Sequence, residues 1–440
     1  MKSIYDLLIE WHESNPNFKF LRYKKSYSLN DIIFEVEAIS KSLLFVSSQH
    51  IGIYVKSKLD FILLYLACIN TNKIPVIFKT TWGADEIDSL TNKYKINDII
   101  CDWDSKNIFK KDINLYFFEE LVNSSRGCGT PVKSKGILNY ESIIFTSGST
   151  GFPKGVCLTR ENFYCSALSW HKEINFNSDD RYSVCLPLHH IAGLSVLYRS
   201  IYHRFGIDLL DNYRELDSFE DSITSLVPSI LSKLINESKY HKSLKSYKAI
   251  ILGGEAVDED LIKKCIELKL NIFISYGMTE TCSGISGFWL NNHIEKYDSV
   301  GKPFSDVSLT INDENNILIS SKMNMLGYYQ AGKHAQSFIS SDIGEIKGGF
   351  LYIKGRSDDL ITLRGEKINL DYIKNTLVEH DFIHSVEVIL KIDANNESVI
   401  EANIIISNNQ LDEQIIKKWC EKKIGKYKTP KKINIIKDVT

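Results

Sequence analysis

Short β-branched runs alternate with helical patterns along most of this 440-residue chain, and that alternation restricts it to layered α/β folds. Residues 51–55, Ile-Gly-Ile-Tyr-Val, read as a strand and residues 58–70 as the buried helix after it. Residues 143–145 form a strand that enters a Gly/Ser/Thr-rich stretch, and Thr159 caps a helix across 162–174. Residues 182–186, 249–252 and 272–275 are three more short strands, each running into a loop of unusual composition. Open α/β sheets bind ligands at the carboxyl ends of their strands. Function is therefore sought in those loops.

The texture changes past about residue 355. Residues 371–379 and 412–423 read as helices, and 385–392, 400–406 and 433–436 as strands. Together they make a second, smaller unit, of a size that can hold its own core. With 53 basic and 55 acidic residues the net charge is −2, which gives no global field for nucleic acid or an anionic membrane. The nine cysteines are scattered with no paired spacing, as expected of reduced thiols rather than a zinc or redox motif. The longest apolar run, 61–69, is about half of what a membrane helix needs. The first residues reach Glu10 and Glu13 without a signal-peptide core. A soluble, cytoplasmic protein is expected.

The strongest local signal is Thr146-Ser147-Gly148-Ser149-Thr150-Gly151-Phe152-Pro153-Lys154-Gly155, four hydroxyls, three glycines and a lysine directly after a strand. Glycines let the backbone approach a ligand, N–H groups and hydroxyls donate to phosphate oxygens, and the lysine adds a mobile cation. The spacing is not that of the common P-loop.

This stretch resembles the phosphate-binding loop of the adenylate-forming superfamily, the acyl- and aryl-CoA synthetases and their relatives. Other stretches resemble that superfamily's motifs in the same order: Leu186-Pro187-Leu188-His189-His190-Ile191-Ala192-Gly193-Leu194, Val227-Pro228-Ser229, Gly253-Gly254-Glu255, Tyr276-Gly277-Met278-Thr279-Glu280-Thr281, Ser341-Asp342-Ile343-Gly344, Gly355-Arg356-Ser357-Asp358-Asp359 and Arg364-Gly365-Glu366-Lys367-Ile368. The wording is most similar to the o-succinylbenzoate–CoA ligase group, notably at Tyr427-Lys428-Thr429-Pro430-Lys431-Lys432. The resemblance implies a large multi-sheet ATP- and acyl-binding domain over 1–357 and a small mobile α+β domain over 358–440, hinged at Asp358. It implies an acid–thiol ligase that turns an aromatic or medium-sized carboxylate into an acyl adenylate with ATP and Mg²⁺, releasing pyrophosphate, then passes the acyl group to CoA. Thr146, Lys154, His190, Glu280 and Arg356 would be catalytic, with Glu280 on the metal. Ser147, Gly148, Ser149, Thr150 and Gly151 would hold phosphates. Gly253, Gly254, Glu255, Tyr276, Gly277, Thr279, Asp342 and Arg356 would hold the nucleoside. His190, Gly193, Cys282 and Ser283 would line the acyl pocket, and Arg364 and Gly365 would face the thiol.

The family's C-terminal lysine, in a Gly-Lys segment beyond Pro430-Lys431-Lys432, has no match up to Thr440. Either the natural tail is missing from this sequence or the protein has lost the lysine, and such a loss implies crippled adenylation with nucleotide binding and thiol transfer retained. Two alternatives follow: a ligase that loads the phosphopantetheine of a carrier protein supplied in trans, and a degenerate member that binds nucleotide and acyl group or performs only the thiol step. No basic residue lies in 190–194 or 282–285 to meet a second carboxylate on the substrate.

Overall fold

A computed structural model describes residues 1–110, 112–123, 139–146, 152–217, 222–332, 337–356, 361–363, 366–368, 370–378, 380–393, 397–406 and 411–437. The α/β alternation resolves into a nine-stranded sheet, a seven-stranded sheet and a four-stranded antiparallel sheet, followed by smaller two- and three-stranded sheets. The middle of the nine-stranded sheet is parallel, with Arg181–Val184, Ile223–Leu226, Ala249–Leu252 and Ile272–Met278 side by side. The seven-stranded sheet runs from Gly327–Tyr328 through Lys154–Leu158, Ser142–Thr146, Ile74–Ile77 and His50–Tyr54 to Asp98–Cys101 and Asn114–Phe117.

Local signals fix the helices between them. The Lys58–Asn70 helix is buried at every position from Leu59 to Ile69 except Asp60, as its unbroken apolar run predicts. Thr159 accepts from the Asn162 N–H and starts the Arg160–Ile174 helix with a capping box. The second unit matches its reading closely: Leu370–Val378 and Glu413–Ile424 are helical, and Ile383–Ile392, Ser398–Ile406 and Lys432–Lys437 form the three-stranded sheet. These elements enclose a core of their own around Ile373, Leu377, Ile404, Ile416 and Cys420.

One charged cluster pins the first strand to the nine-stranded sheet. Asp208, with a fully buried side chain, accepts from Arg22 Nε at 2.6 Å and from Arg181 Nε at 2.9 Å. Removing the carboxylate leaves two guanidinium groups, each partly wetted at 28% and 19% exposure. Asp208→Ala is expected to cost about 3 kcal/mol of stability, read as a lower urea midpoint at unchanged slope.

Candidate active site

A cavity of about 580 Å³ opens where the large sheets and the second unit meet, lined by Thr146, Lys154, His190, Gly253, Gly254, Gly277, Thr279, Glu280, Ser283 and Arg356, all singled out in the sequence. Thr146 ends one strand and Lys154 begins its antiparallel neighbour, and the two are register partners. The residues on either side of the glycine-rich stretch are therefore held at the cavity. Ser147, Gly148, Ser149, Thr150, Gly151, Asp358, Arg364 and Gly365 lie outside the described residues.

Glu280 stands in a 3₁₀ turn, Thr279–Thr281, between Ile272–Met278 and Ser283–Trp289. That hairpin slips register after Tyr276, and a Cβ on Gly277 would lie 2.0 Å from the Ser283 carbonyl oxygen. Only glycine lets the strands approach so closely, and the turn that results aims Glu280 at Thr146. Its Oε1 lies 3.5 Å from Thr146 Oγ1 and accepts from the Tyr328 hydroxyl at 3.1 Å. A carboxylate beside a hydroxyl is a set of hard oxygen donors, the chemistry that suits Mg²⁺.

Arg356 and Asp342 are register partners on adjacent strands. Arg356 donates to Asp342 Oδ1 at 2.9 Å and to Ser341 Oγ at 3.2 Å, and the Tyr276 hydroxyl donates to Asp342 Oδ2 at 2.5 Å. Burial and then the Asp342 charge drive the Tyr276 phenol far above its ordinary pKa. Asp342, held in turn by Tyr276, thus positions Arg356 at the cavity wall.

Three other expected site residues have structural duties. Glu255 accepts from both Ser229 N and Ser229 Oγ at 3.1 Å, closing the start of the Pro228–Ile235 helix, which has no side-chain cap of its own. Gly193 sits where a Cβ would meet the Pro187 carbonyl oxygen at 2.4 Å, so it seats the Ile191–His203 helix against the preceding loop. Cys282 is fully buried, and its carbonyl accepts from Ser166.

Residues the sequence reading passed over complete the site. Lys58 donates to the carbonyls of Val184, Cys185 and Leu210 at 2.9, 2.8 and 2.6 Å. It ties together the strand ends that carry the His189–His190 loop, and burial pulls its pKa down to about 8. Glu366 reaches His190 Nε2 at 2.8 Å and also pairs with Lys79. Burial alone would raise its pKa, but Lys79 and then His190 hold it well below the carboxylate range. Ligand atoms of His189, His190 and Glu366 lie within 4.8 Å of one another. The Lys79 ammonium on the same carboxylate makes the group a poor cation site.

Arg199 is 2% exposed, in the wall of the same cavity, with its guanidinium 4.2 Å from the Trp170 ring centroid. Its Nη2 donates to Ser283 Oγ at 2.7 Å, and its Nε has no partner. Among the described residues it faces no carboxylate, since no ion pair includes it. A lone arginine inside the apolar run 194–201 was the signal for it.

The curated 2-succinylbenzoate–CoA ligase of Bacillus cereus is 27% identical to this chain over 408 residues, covering 87% of the chain and 83% of that protein. A double mutant of the o-succinylbenzoate CoA synthetase of Bacillus subtilis, solved with a product analogue, superposes with a TM-score of 0.87 at 23% identity over 98% of this chain and 94% of that one. The Bacillus subtilis protein solved with AMP superposes at 0.74, at 22% identity over the same shares of each chain. Residues 35–329, which carry the phosphate hairpin, the Glu280 turn and most of the cavity wall, match the family described as AMP-binding enzyme; this chain belongs to that family.

Proposed function

We propose that this protein is an ATP-dependent acid–thiol ligase that joins an aromatic dicarboxylate, of the 2-succinylbenzoate kind, to CoA. In the first step a substrate carboxylate oxygen bonds to the α-phosphorus of ATP, and the bond to pyrophosphate breaks. In the second, the CoA sulfur bonds to the acyl carbonyl carbon, the thiol proton is lost and AMP leaves. The observation that carries the reading is that one cavity holds the phosphate hairpin with Glu280 at one part of its wall and the carboxylate-free Arg199 at another. The first group suits a metal–triphosphate, and the second suits an acid group the reaction does not consume. Mg²⁺, when bound at Glu280 and Thr146, would neutralise charge on the phosphates. Lys154 and Arg356 add cations of the protein's own at the same wall.

A cytoplasmic setting agrees with the free thiols of every described cysteine. No helix among the described residues is long and apolar enough to cross a membrane. The test is acid-dependent ATP–pyrophosphate exchange followed by CoA thioester formation, with 2-succinylbenzoate and benzoate as probes. Exchange and thioester with the dicarboxylate, and far less with benzoate, are expected. No reaction with the dicarboxylate, or equal rates with both acids, overturns the reading.

A further inference from the structure

The start of the Ala84–Tyr94 helix meets the end of the Glu413–Ile424 helix at a join with no spare room. Gly83, just before the first helix, has φ −80° and ψ 169°, angles open to any L-residue. Yet a Cβ there would lie 2.8 Å from the carbonyl oxygens of both Glu421 and Lys422, and 3.1 Å from Gly425 N. Gly425 has φ +84°, and its own Cβ would lie 2.4 Å from the Thr81 carbonyl oxygen. Backbone conformation does not demand glycine at 83. Only contact with the second unit does.

Charge is matched across the same join. Glu86 and Lys428 lie 2.6 Å apart with 3% and 10% of their side chains exposed. Lys79 and Glu366 pair nearby at 6% and 10% exposure. Lys79 and Glu86 thus each meet a group of opposite sign from the second unit. Buried pairs of this kind select one arrangement more than they add net stability, because separated charges regain their water. The positive end of one helix also meets the carbonyl end of the other. Glu86 accepts the Gly83 N–H at 3.3 Å as well, a helix-capping bond that a Gln would keep.

We propose that residues 79–86 are the seat on which the second unit docks for thioester formation, with Gly83, Glu86 and Lys428 as positioning residues of that half-reaction. The proposal rests on the two-step ligase reading above. The Bacillus subtilis structure solved with a product analogue fits this chain at a TM-score of 0.87 and the one solved with AMP at 0.74, which supports assigning the join to the second half-reaction. In this chain the seat is filled.

The experiment compares the full chain with Gly83→Ala, Glu86→Gln, Glu86→Lys and the exchanged pair Glu86→Lys/Lys428→Glu. Pyrophosphate exchange with 2-succinylbenzoate reads the first half-reaction, and CoA thioester formation from preformed 2-succinylbenzoyl adenylate reads the second. Gly83→Ala and Glu86→Lys are expected to slow the second about tenfold to 100-fold while leaving the first within about twofold. Glu86→Gln falls between, and the exchanged pair recovers most of what Glu86→Lys loses. Amide hydrogen exchange in the first turn of Ala84–Tyr94 and the last turn of Glu413–Ile424 reads docking with no activity at all. It is expected to speed up in Gly83→Ala, with the remaining helices unchanged. Equal slowing of both half-reactions, or wild-type thioester rates and protection in Gly83→Ala, overturns the seat. If the unaltered chain forms neither adenylate nor thioester, the ligase reading falls, and amide exchange alone then decides whether Gly83 seats the second unit.

Discussion

Arg199→Met is expected to lower kcat/KM for 2-succinylbenzoate by about 100-fold, and to change it less than about threefold for benzoate. The guanidinium is already desolvated, stacked on Trp170 and bonded to the Ser283 hydroxyl. Burial pulls its pKa down to about 10, which says that the site resists the charge it holds. A buried cation without a carboxylate is an expense that the described residues do not repay; a substrate acid group would. Methionine keeps the length of the side chain and the packing on Trp170 while removing the charge. Free of substrate, the variant is therefore expected to be more stable by about 1–2 kcal/mol. Selectivity lost and stability gained in one substitution is a combination that a purely structural arginine does not produce. Equal losses for both acids, or a destabilised variant, would remove the second-carboxylate subsite.

What could be read in the sequence is what depends on near neighbours. The Thr159 cap, the buried Lys58–Asn70 helix and the hydroxyl-rich ends of the phosphate hairpin declare themselves within a few residues. Arg199 lies outside the stretches 190–194 and 282–285, and helix packing rather than closeness in sequence brings it onto Ser283. Glu366 with Lys79, and Lys428 with Glu86, pair residues far apart in the chain, and no local pattern encodes such a meeting. Asp342 was expected to serve the ribose. Its bonds to Tyr276 and Arg356 follow from register between strands and from a slip beside Gly344. The structural duty of Glu255 has a legible reason. A helix that begins Val227-Pro228 has no capping side chain of its own and must find an acceptor elsewhere.

Glu280→Gln is expected to slow pyrophosphate exchange by on the order of 1000-fold while leaving the unfolding midpoint unchanged. The amide is isosteric and can keep both the Thr146 and the Tyr328 contacts at Glu280 Oε1, so the hairpin turn and the cavity wall stay as they are. No ion pair among the described residues uses this carboxylate, so its charge is not committed within the fold. Its use must lie with something brought into the cavity, and a hard divalent cation on a triphosphate is what a lone carboxylate beside a hydroxyl favours. Magnesium titration separates this account from a merely steric one. Glu280→Asp, which keeps the charge on a shorter arm, is expected to recover activity at raised Mg²⁺, whereas Glu280→Gln gains little at any concentration. A Gln variant with the unaltered chain's rate and magnesium dependence would leave Glu280 as a turn residue only, and the metal would have to be held by the phosphates and Thr146 without it.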